Sequence, residues 1–142
     1  MKILILCTGN TCRSQMTAGF LKKWVPEFQI FSAGTKPEGK VNPYAVQVMK
    51  EEGIDISDRK PKSVDLFVDR KFDYVITVCD GAKEVCPVFT GEVKHRLHIG
   101  FEDPADAKGT PDEILPVYRE VRDQIKVEFR KLIEQIAPGK IR

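Results

Sequence analysis

Short apolar runs alternate along this chain with longer segments in which apolar residues recur at helical spacing. The continuously apolar run at residues 2–6 predicts a buried parallel strand, and the β-branched and aromatic run at 72–78 predicts another. Weaker runs at 29–32 and 95–99 indicate two more strands. A helix is predicted from Ser14 to Trp24, because apolar side chains share one of its faces and a proline follows.

Two further helices are predicted from their start signals. The segment 42–53 opens with Asn-Pro, a typical N-cap followed by proline at the first helical position, and its apolar stripe ends at a glycine. The segment 110–136 opens with Thr-Pro-Asp-Glu, which predicts a capping box. Its stripe predicts a helix about 40 Å long that lies across the sheet. Residues 64–68 predict only a short helix.

The alternation of strands and helices predicts an α/β fold. We expect a single domain over residues 1–142, with a mostly parallel four-stranded sheet flanked by helices. No repeat, linker or low-complexity segment suggests a second domain. Ligands of such sheets bind at the carboxyl ends of the strands. Cys7 and Cys79 directly follow the two clearest strands, so both are expected at that edge.

The composition argues against several classes of protein but does not indicate an activity. Apolar residues make up 42% and charged residues 31% of the chain, as in ordinary soluble proteins. No stretch approaches the roughly 18 apolar residues of a membrane span, and the net charge of +2 favours no polymer partner. We therefore expect a cytoplasmic monomer that has no nucleic-acid or membrane partner. Its four cysteines are too few for a secreted disulfide scaffold, which favours catalytic, redox or metal-binding roles.

The candidate active site is the segment between the first strand and the first helix, Cys-Thr-Gly-Asn-Thr-Cys-Arg-Ser. A strand, a short glycine-containing loop and a helix N-terminus direct several N–H groups at one point, which suits an anion. These donors and Arg13 would lower the pKa of Cys7 and make it a nucleophile. Arg13 would also present two donors to a tetrahedral oxyanion. The residues expected to hold that oxyanion are Thr8, Gly9, Asn10, Thr11, Cys12, Arg13 and Ser14. A tight turn around a buried structural cysteine is the alternative.

This octapeptide resembles the phosphate-binding loop of the low-molecular-weight protein tyrosine phosphatases. It is still more similar to that of their relatives, the thioredoxin-coupled arsenate reductases. The resemblance covers nearly the whole chain, including Ser-Ala-Gly at 32–34 and the Asp103-Pro104 pair. It implies that Asp103 is the general acid above the loop. The phosphatases follow this pair with a tyrosine, whereas this chain has Ala105.

A pair of further cysteines also separates the two groups. The phosphatases lack Cys79 and Cys86, whose spacing of seven and following proline match the arsenate reductases. The resemblance implies that Cys7 attacks arsenate, that Cys79 attacks the Cys7 sulfur, and that Cys86 then attacks Cys79. Gly81 and Gly91 would let this segment move. Thioredoxin or a similar dithiol protein would reduce the final disulfide. The alternative is a phosphatase that hydrolyses phosphoesters through a Cys7 phosphocysteine.

No metal or other cofactor is expected. Several of these reductases bind potassium beside the loop through an Asn, a Ser, a Glu and an Asp. Asn10 and Ser14 match, but Ala18 occupies the Glu position and the Asp position falls near Lys62, which could supply positive charge instead. A further alternative is a metal-binding or redox-sensing module. It would use Cys79, Cys86, His95 and His98, whose spacing departs from that of structural zinc sites.

Cys12 and a basic cluster each have two interpretations. Cys12 could form a protective disulfide with Cys7 or could be a small buried loop residue. The basic cluster at residues 59–62 is interpreted as a solvated loop, with a binding patch as the alternative.

Overall fold

The protein is described by a computed structural model that covers residues 1–80 and 88–142. Its elements, in chain order, are β1 (Lys2–Cys7), α1 (Arg13–Trp24), β2 (Gln29–Gly34), α2 (Pro43–Lys50), β3 (Phe72–Thr77), β4 (Val93–His98) and α3 (Pro111–Ile136). Single 3-10 turns lie at Val64–Leu66 and Pro104–Asp106. All four predicted strands and three predicted helices are therefore confirmed, with ends that differ by one to three residues. Cys86 and Gly81 lie outside the described residues.

The four strands form one entirely parallel sheet in the order β2-β1-β3-β4. β1 is a central strand, which explains why its residues from Ile3 to Cys7 are all buried. Its last residues pair with Gly34 of β2 and Thr77 of β3. The backbone N–H of Val78 donates to the carbonyl of Leu6 at 3.0 Å, so the β1–β3 pairing continues beyond the strands.

Successive β1 side chains point to opposite faces of the sheet and join two different cores. The first core contains Ile3, Ile5 and Cys7 together with residues from α1, α2 and α3. The second contains Leu4 and Leu6 with a group of phenylalanines, Phe67, Phe72 and Phe89. The helices thus all contribute to one core, and the other face is covered by the segment around residues 64–68 and by Phe89.

α1 is more deeply buried than its sequence predicted. We expected one apolar face, but every residue from Arg13 to Leu21 is buried. The helix packs against β1, β2, α2 and α3. Its buried polar side chains form hydrogen bonds; the Thr17 hydroxyl, for example, donates to the Arg13 carbonyl at 2.8 Å. Phe20 and Trp24 stack at a centroid distance of 5.1 Å, which confirms their core role.

α3 begins with the predicted capping box, formed by Thr110 and Glu113. It packs against α1 and α2. Besides the predicted stripe, it buries Tyr118 and Arg122. The Arg122 guanidinium donates to the Val48 carbonyl at 3.0 Å and to Glu51 at 2.7 Å, which ties α3 to the end of α2.

Candidate active site

A neighbouring segment supports the loop between β1 and α1 from outside. The carbonyls of Thr8, Gly9 and Thr11 accept hydrogen bonds at 3.0–3.1 Å from the backbone N–H groups of Lys36, Glu38 and Asn42. In a trans peptide the C=O and the following N–H point in opposite directions. The next N–H groups, those of residues 9, 10 and 12, are therefore turned away from the supporting segment. Residues 36–42 thus fix the orientation of three peptide groups in the candidate loop.

Asn10 holds the loop through both its backbone and its side chain. Its φ of 57° lies in the left-handed region, which asparagine adopts more readily than most residues. The side chain is buried; Nδ2 donates to Ser14 Oγ at 2.7 Å, and Oδ1 accepts from the Lys62 backbone N–H at 2.9 Å. Gln15 Nε2 donates to both the carbonyl and Oδ1 of Asn10 at 3.1 Å. Three separate segments therefore meet at this residue.

Gly34 lets the loop pass close to the end of β2. A Cβ atom at this position would lie 2.3 Å from the Thr8 carbonyl oxygen, far inside van der Waals contact. Gly34 is also the β2 residue that pairs with Cys7. Any side chain here would push away the backbone that follows the nucleophile.

The segment after β4 orients Arg13. Its guanidinium is buried, donates from Nη1 to the Phe101 carbonyl at 3.0 Å, and places Nη2 3.4 Å from Asp103 Oδ2. The Asp103 side chain is 31% exposed, and its Oδ1 accepts from the Ala105 backbone N–H at 3.0 Å. Arg13 and Asp103 are thus fixed together, although 90 residues separate them in the sequence.

These groups surround a cavity of about 270 Å³. It is lined by the loop residues Cys7, Thr8, Gly9, Asn10, Thr11, Cys12 and Arg13 and by Glu38, Asp103, Ala105 and Asp106. The structure therefore brings together the predicted nucleophile, guanidinium and acid. Ser14 does not line the cavity; its hydroxyl holds Asn10 instead.

The chain belongs to a known family with this loop. The sequence profile described as low molecular weight phosphotyrosine protein phosphatase matches residues 2–140. The chain is a member of this phosphatase family. A curated relative, an arsenate reductase of Halalkalibacterium halodurans, is 47% identical over 133 residues, covering 93% of this chain and 94% of that protein.

Solved structures of the family have the same fold. One, of an arsenate reductase in the phosphate binding state, has a TM-score of 0.76 and 31% identity and covers 96% of this chain and 98% of that one. Another is the thioredoxin-dependent arsenate reductase of Corynebacterium glutamicum, with a TM-score of 0.63 and 26% identity. That match covers 94% of this chain and 62% of the other. The predicted fold and family are thereby confirmed.

The two loop cysteines of this phosphatase-family member differ in environment. Burial raises the pKa of Cys12 to about 12; a hydrogen bond with Thr11 opposes this shift in part, and the negative charge of Asp103 adds a smaller increase. Cys12 is therefore a protonated thiol at neutral pH, which favours the structural interpretation of this residue over a reactive one. Cys7 is also a thiol, and it is 3% exposed in the wall of the cavity.

Cys79 directly follows β3 and is completely buried. It is disulfide-bonded in this structure. Because Val78 continues the pairing of β3 with β1, Cys79 lies one residue beyond the position opposite Cys7. It does not line the oxyanion cavity.

The predicted alternatives that require metal find little support in the geometry. His95 and His98 are three residues apart on β4, so their side chains point to opposite faces of the strand. His95 stacks on Tyr74 at 4.8 Å, and the His98 ring lies 2.7 Å from the Thr77 hydroxyl. Within residues 1–80 and 88–142, no three His, Cys, Asp or Glu side chains are grouped as metal ligands.

Near the loop, the Gln15 amide nitrogen donates to the backbone carbonyl and to Oδ1 of Asn10, so a neutral donor lies beside these two oxygens.

In the same described ranges, no helix has the length and apolar character needed to cross a membrane.

Sequence reasoning missed three contributors to the site in this family member. They are Gln15, the backbone of residues 36–42, and the carboxylate of Glu38, which lies 3.6 Å from the position of a Cβ on Gly9. None carries a motif of its own. Each acts through a contact that becomes visible only in the folded structure.

Proposed function

We propose that this protein is an arsenate reductase that converts arsenate to arsenite through a relay of Cys7, Cys79 and Cys86. The supporting observation is the cavity in which Cys7, Arg13 and Asp103 meet the other loop residues. The curated relative at 47% identity carries the name arsenate reductase. The solved relative in the phosphate binding state supports an oxyanion as the ligand of this cavity.

The first step forms a bond between sulfur and arsenic. The Cys7 thiolate attacks arsenic, and a hydroxyl leaves as water after taking a proton from Asp103. Loop N–H groups and Arg13 hold the remaining oxygens and stabilise their charge. The arrangement of Arg13, with Phe101 and Asp103 fixing its two terminal nitrogens, keeps the guanidinium in one orientation for this task.

The second and third steps move electrons through the thiols. The Cys79 thiolate attacks the Cys7 sulfur, the arsenic–sulfur bond breaks, and its electron pair leaves with arsenite. A Cys7–Cys79 disulfide results. The Cys86 thiolate then attacks Cys79 and releases Cys7, and an external dithiol reduces the Cys79–Cys86 disulfide. Two thiols are oxidised for each arsenate reduced, which balances the two-electron change.

Strand pairing supports the second step. Neighbouring strands lie about 4.8 Å apart and rise about 3.3 Å per residue, so the Cys7 and Cys79 Cα atoms are separated by roughly 6 Å. This distance is within the usual range for a disulfide. Both residues also belong to the same buried cluster. The disulfide-bonded state of Cys79 is consistent with a redox role for it.

We propose thioredoxin, or a similar dithiol protein, as the reductant. The Corynebacterium glutamicum relative is a thioredoxin-dependent arsenate reductase, which supports this choice. The chain then acts as a cytoplasmic monomer on a small oxyanion and needs no metal. Size-exclusion chromatography with light scattering should give a mass near 16.1 kDa.

The test is arsenate-dependent oxidation of NADPH coupled through thioredoxin and thioredoxin reductase. Cys79→Ser and Cys86→Ser should lose arsenate turnover but still hydrolyse para-nitrophenyl phosphate, which needs only the loop and an acid. Cys7→Ser should lose both activities. Cys12→Ser is the matched control and should retain both, because Cys12 is a buried, protonated thiol. If the wild type reduces no arsenate with any dithiol donor, the reductase proposal is wrong.

A weak phosphatase activity follows from the same cavity, since Asp103 faces the space above Cys7. Asp103→Asn should reduce hydrolysis of phenyl phosphate more than that of para-nitrophenyl phosphate, because the nitrophenolate leaves without needing a proton. General acids typically contribute about 10²–10⁴-fold to rate. Equal losses for both substrates would show that Asp103 acts by orienting Arg13 and does not donate the proton.

A further inference from the structure

A second cavity, of about 340 Å³, lies beside the active-site loop but outside it. Its charged lining consists of four cationic side chains and one carboxylate, those of Lys22, Arg59, Lys60, Lys62 and Asp58. The rest of the wall includes Gln15, Ser32 and apolar residues of β2. The sum of these formal charges is +3. A cavity of this charge repels a cation such as potassium and attracts an anion.

The positive charges in this cavity are poorly neutralised. Within the described part of the chain, none of its four cations forms an ion pair within 4.0 Å, although other surface lysines and arginines do so. Partial desolvation, followed by the nearby charges of Arg59 and Lys62, lowers the pKa of Lys22. Arg59 and Lys62 therefore lie close enough to act on the charge of Lys22, and the carboxylates of Asp58 and Asp55 compensate for only part of the positive charge.

Arg59 provides the decisive observation. Its Nη1 atom is buried and has no hydrogen-bond partner among the described residues. Buried donors in native proteins are nearly always satisfied, and an unpaired cationic donor is especially unfavourable. Asp55, a second carboxylate whose charge acts on Arg59, already accepts bonds from the Ser57 N–H and hydroxyl at 2.8 and 2.6 Å. The described residues therefore leave this donor without an acceptor.

We infer that this cavity is a second anion-binding site, and that it takes a tetrahedral oxyanion such as phosphate or sulfate. The Arg59 guanidinium, which belongs to a residue lining the cavity, is the central donor, and the ammonium groups of Lys22 and Lys62 supply the surrounding charge. The site is separate from the Cys7 cavity, with which it shares no lining residue. The interpretation of residues 59–62 as a purely solvated loop is therefore incomplete, since Lys60 and Lys62 are exposed but Arg59 is partly buried.

Two residues connect this site to the active-site loop. Gln15 lines the second cavity and donates to the Lys60 carbonyl at 3.4 Å and to Asn10. The Lys62 backbone N–H donates to Asn10 Oδ1 at 2.9 Å. An anion that orders residues 59–62 would therefore also stabilise the Asn10 contacts that hold the loop. The inference does not depend on whether the protein reduces arsenate.

The experiment is a titration of the reduced, full-length protein with inorganic phosphate, followed by ¹H–¹⁵N NMR at constant ionic strength. We expect two separable sets of shifts, one from the amides of residues 8–14 and one from residues 59–62 and the Arg59 Nε–Hε group. Arg13→Met should abolish or weaken the first set and leave the second. Arg59→Met should weaken the second by roughly 10-fold or more, since it removes a charge-assisted hydrogen bond.

Lys140→Met is the matched control, because Lys140 is exposed and lies outside both cavities, and the substitution removes the same charge. It should leave both midpoints within about twofold of the wild type. The inference is wrong if the signals of Arg59, Lys60 and Lys62 do not titrate in Arg13→Met, or if Arg59→Met and Lys140→Met have equal effects.

Thermal unfolding provides a measure of phosphate binding that is independent of NMR. Without phosphate, Arg59→Met should be at least as stable as the wild type, because it removes an unsatisfied buried charge. Phosphate should then raise the melting temperature of the wild type more than that of the variant. The proposed anion site is wrong if Arg59→Met is less stable than the wild type without phosphate and phosphate raises both melting temperatures equally.

Discussion

Asn10 offers the sharpest test of how the oxyanion loop is held. Its φ of 57° and its three side-chain hydrogen bonds are separate contributions, and three substitutions distinguish them. Asn10→Ala removes the side chain and disfavours the left-handed backbone. Asn10→Gly removes the side chain but accepts that backbone. Asn10→Asp keeps Oδ1 as an acceptor and loses only the donor to Ser14.

The magnitudes follow from the contacts. Loss of Oδ1 leaves the Lys62 N–H without its acceptor, at a cost of about 1–3 kcal/mol. The left-handed conformation adds about 1–2 kcal/mol for alanine. Glycine avoids that strain but loses about 0.5–1 kcal/mol of chain entropy on folding. We therefore expect Asn10→Ala to lower the free energy of unfolding by about 2–5 kcal/mol, and Asn10→Gly to be about 1 kcal/mol less destabilised.

Asn10→Asp should stay within about 1 kcal/mol of the wild type. Its charge, however, is carried by a residue that lines the candidate oxyanion cavity. Like charges a few ångströms apart repel by about 1–4 kcal/mol, so phosphate should inhibit this variant roughly tenfold or more weakly. Urea unfolding and inhibition of para-nitrophenyl phosphate hydrolysis by phosphate measure the two effects. If the glycine variant were less stable than the alanine variant, the backbone argument would be refuted.

Two other predictions concern the same loop. Gly34→Ala should destabilise the protein by about 1–3 kcal/mol and weaken phosphate binding, because its Cβ would lie 2.3 Å from the Thr8 carbonyl oxygen. Gly39→Ala, which meets no atom within 4 Å, should change urea stability by less than about 0.5 kcal/mol; equal effects would contradict the packing argument. The Cys12 pKa is about 12 in the folded chain against an ordinary value of 9.0. Since the unfolded chain loses this proton first, stability should fall as pH rises above 9.0, by up to about 1.4 kcal/mol per unit. Cys12→Ala should lack that slope between pH 9.5 and 11. If stability falls with pH equally in the variant and the wild type, the raised pKa of Cys12 is wrong.

The order of strands and helices could be read from the sequence because each signal is local. The apolar run of β1 and the capping box at the start of α3 depend on residues within a few positions of one another. The loop after β1 was also recognisable, since its eight residues are contiguous. Element ends were less accurate, as with β2, which continues to Gly34 because that residue pairs with Cys7.

The contacts that complete the site could not be read in the same way. The sequence shows no reason for Arg13 to meet the Phe101 carbonyl, for Gln15 to bind Asn10, or for Lys36 to orient a loop carbonyl. The first and last of these contacts join segments far apart in the chain, and all three satisfy backbone or amide groups that every sequence contains. The partial burial of Arg59 likewise depends on what packs around it.

By itself, the sequence determined the fold class, the family resemblance, and the candidate nucleophile with its guanidinium and candidate acid, because contiguous motifs and short periodicities carry those signals. Only the tertiary structure decided which loop carbonyls the neighbouring segment binds, that Cys12 is a buried protonated thiol, and that a second basic cavity lies beside the loop, lined by an arginine with one nitrogen unpaired among the described residues. Orientation, desolvation and hydrogen-bond satisfaction depend on all neighbours in space, and the packed chain alone brings those neighbours together.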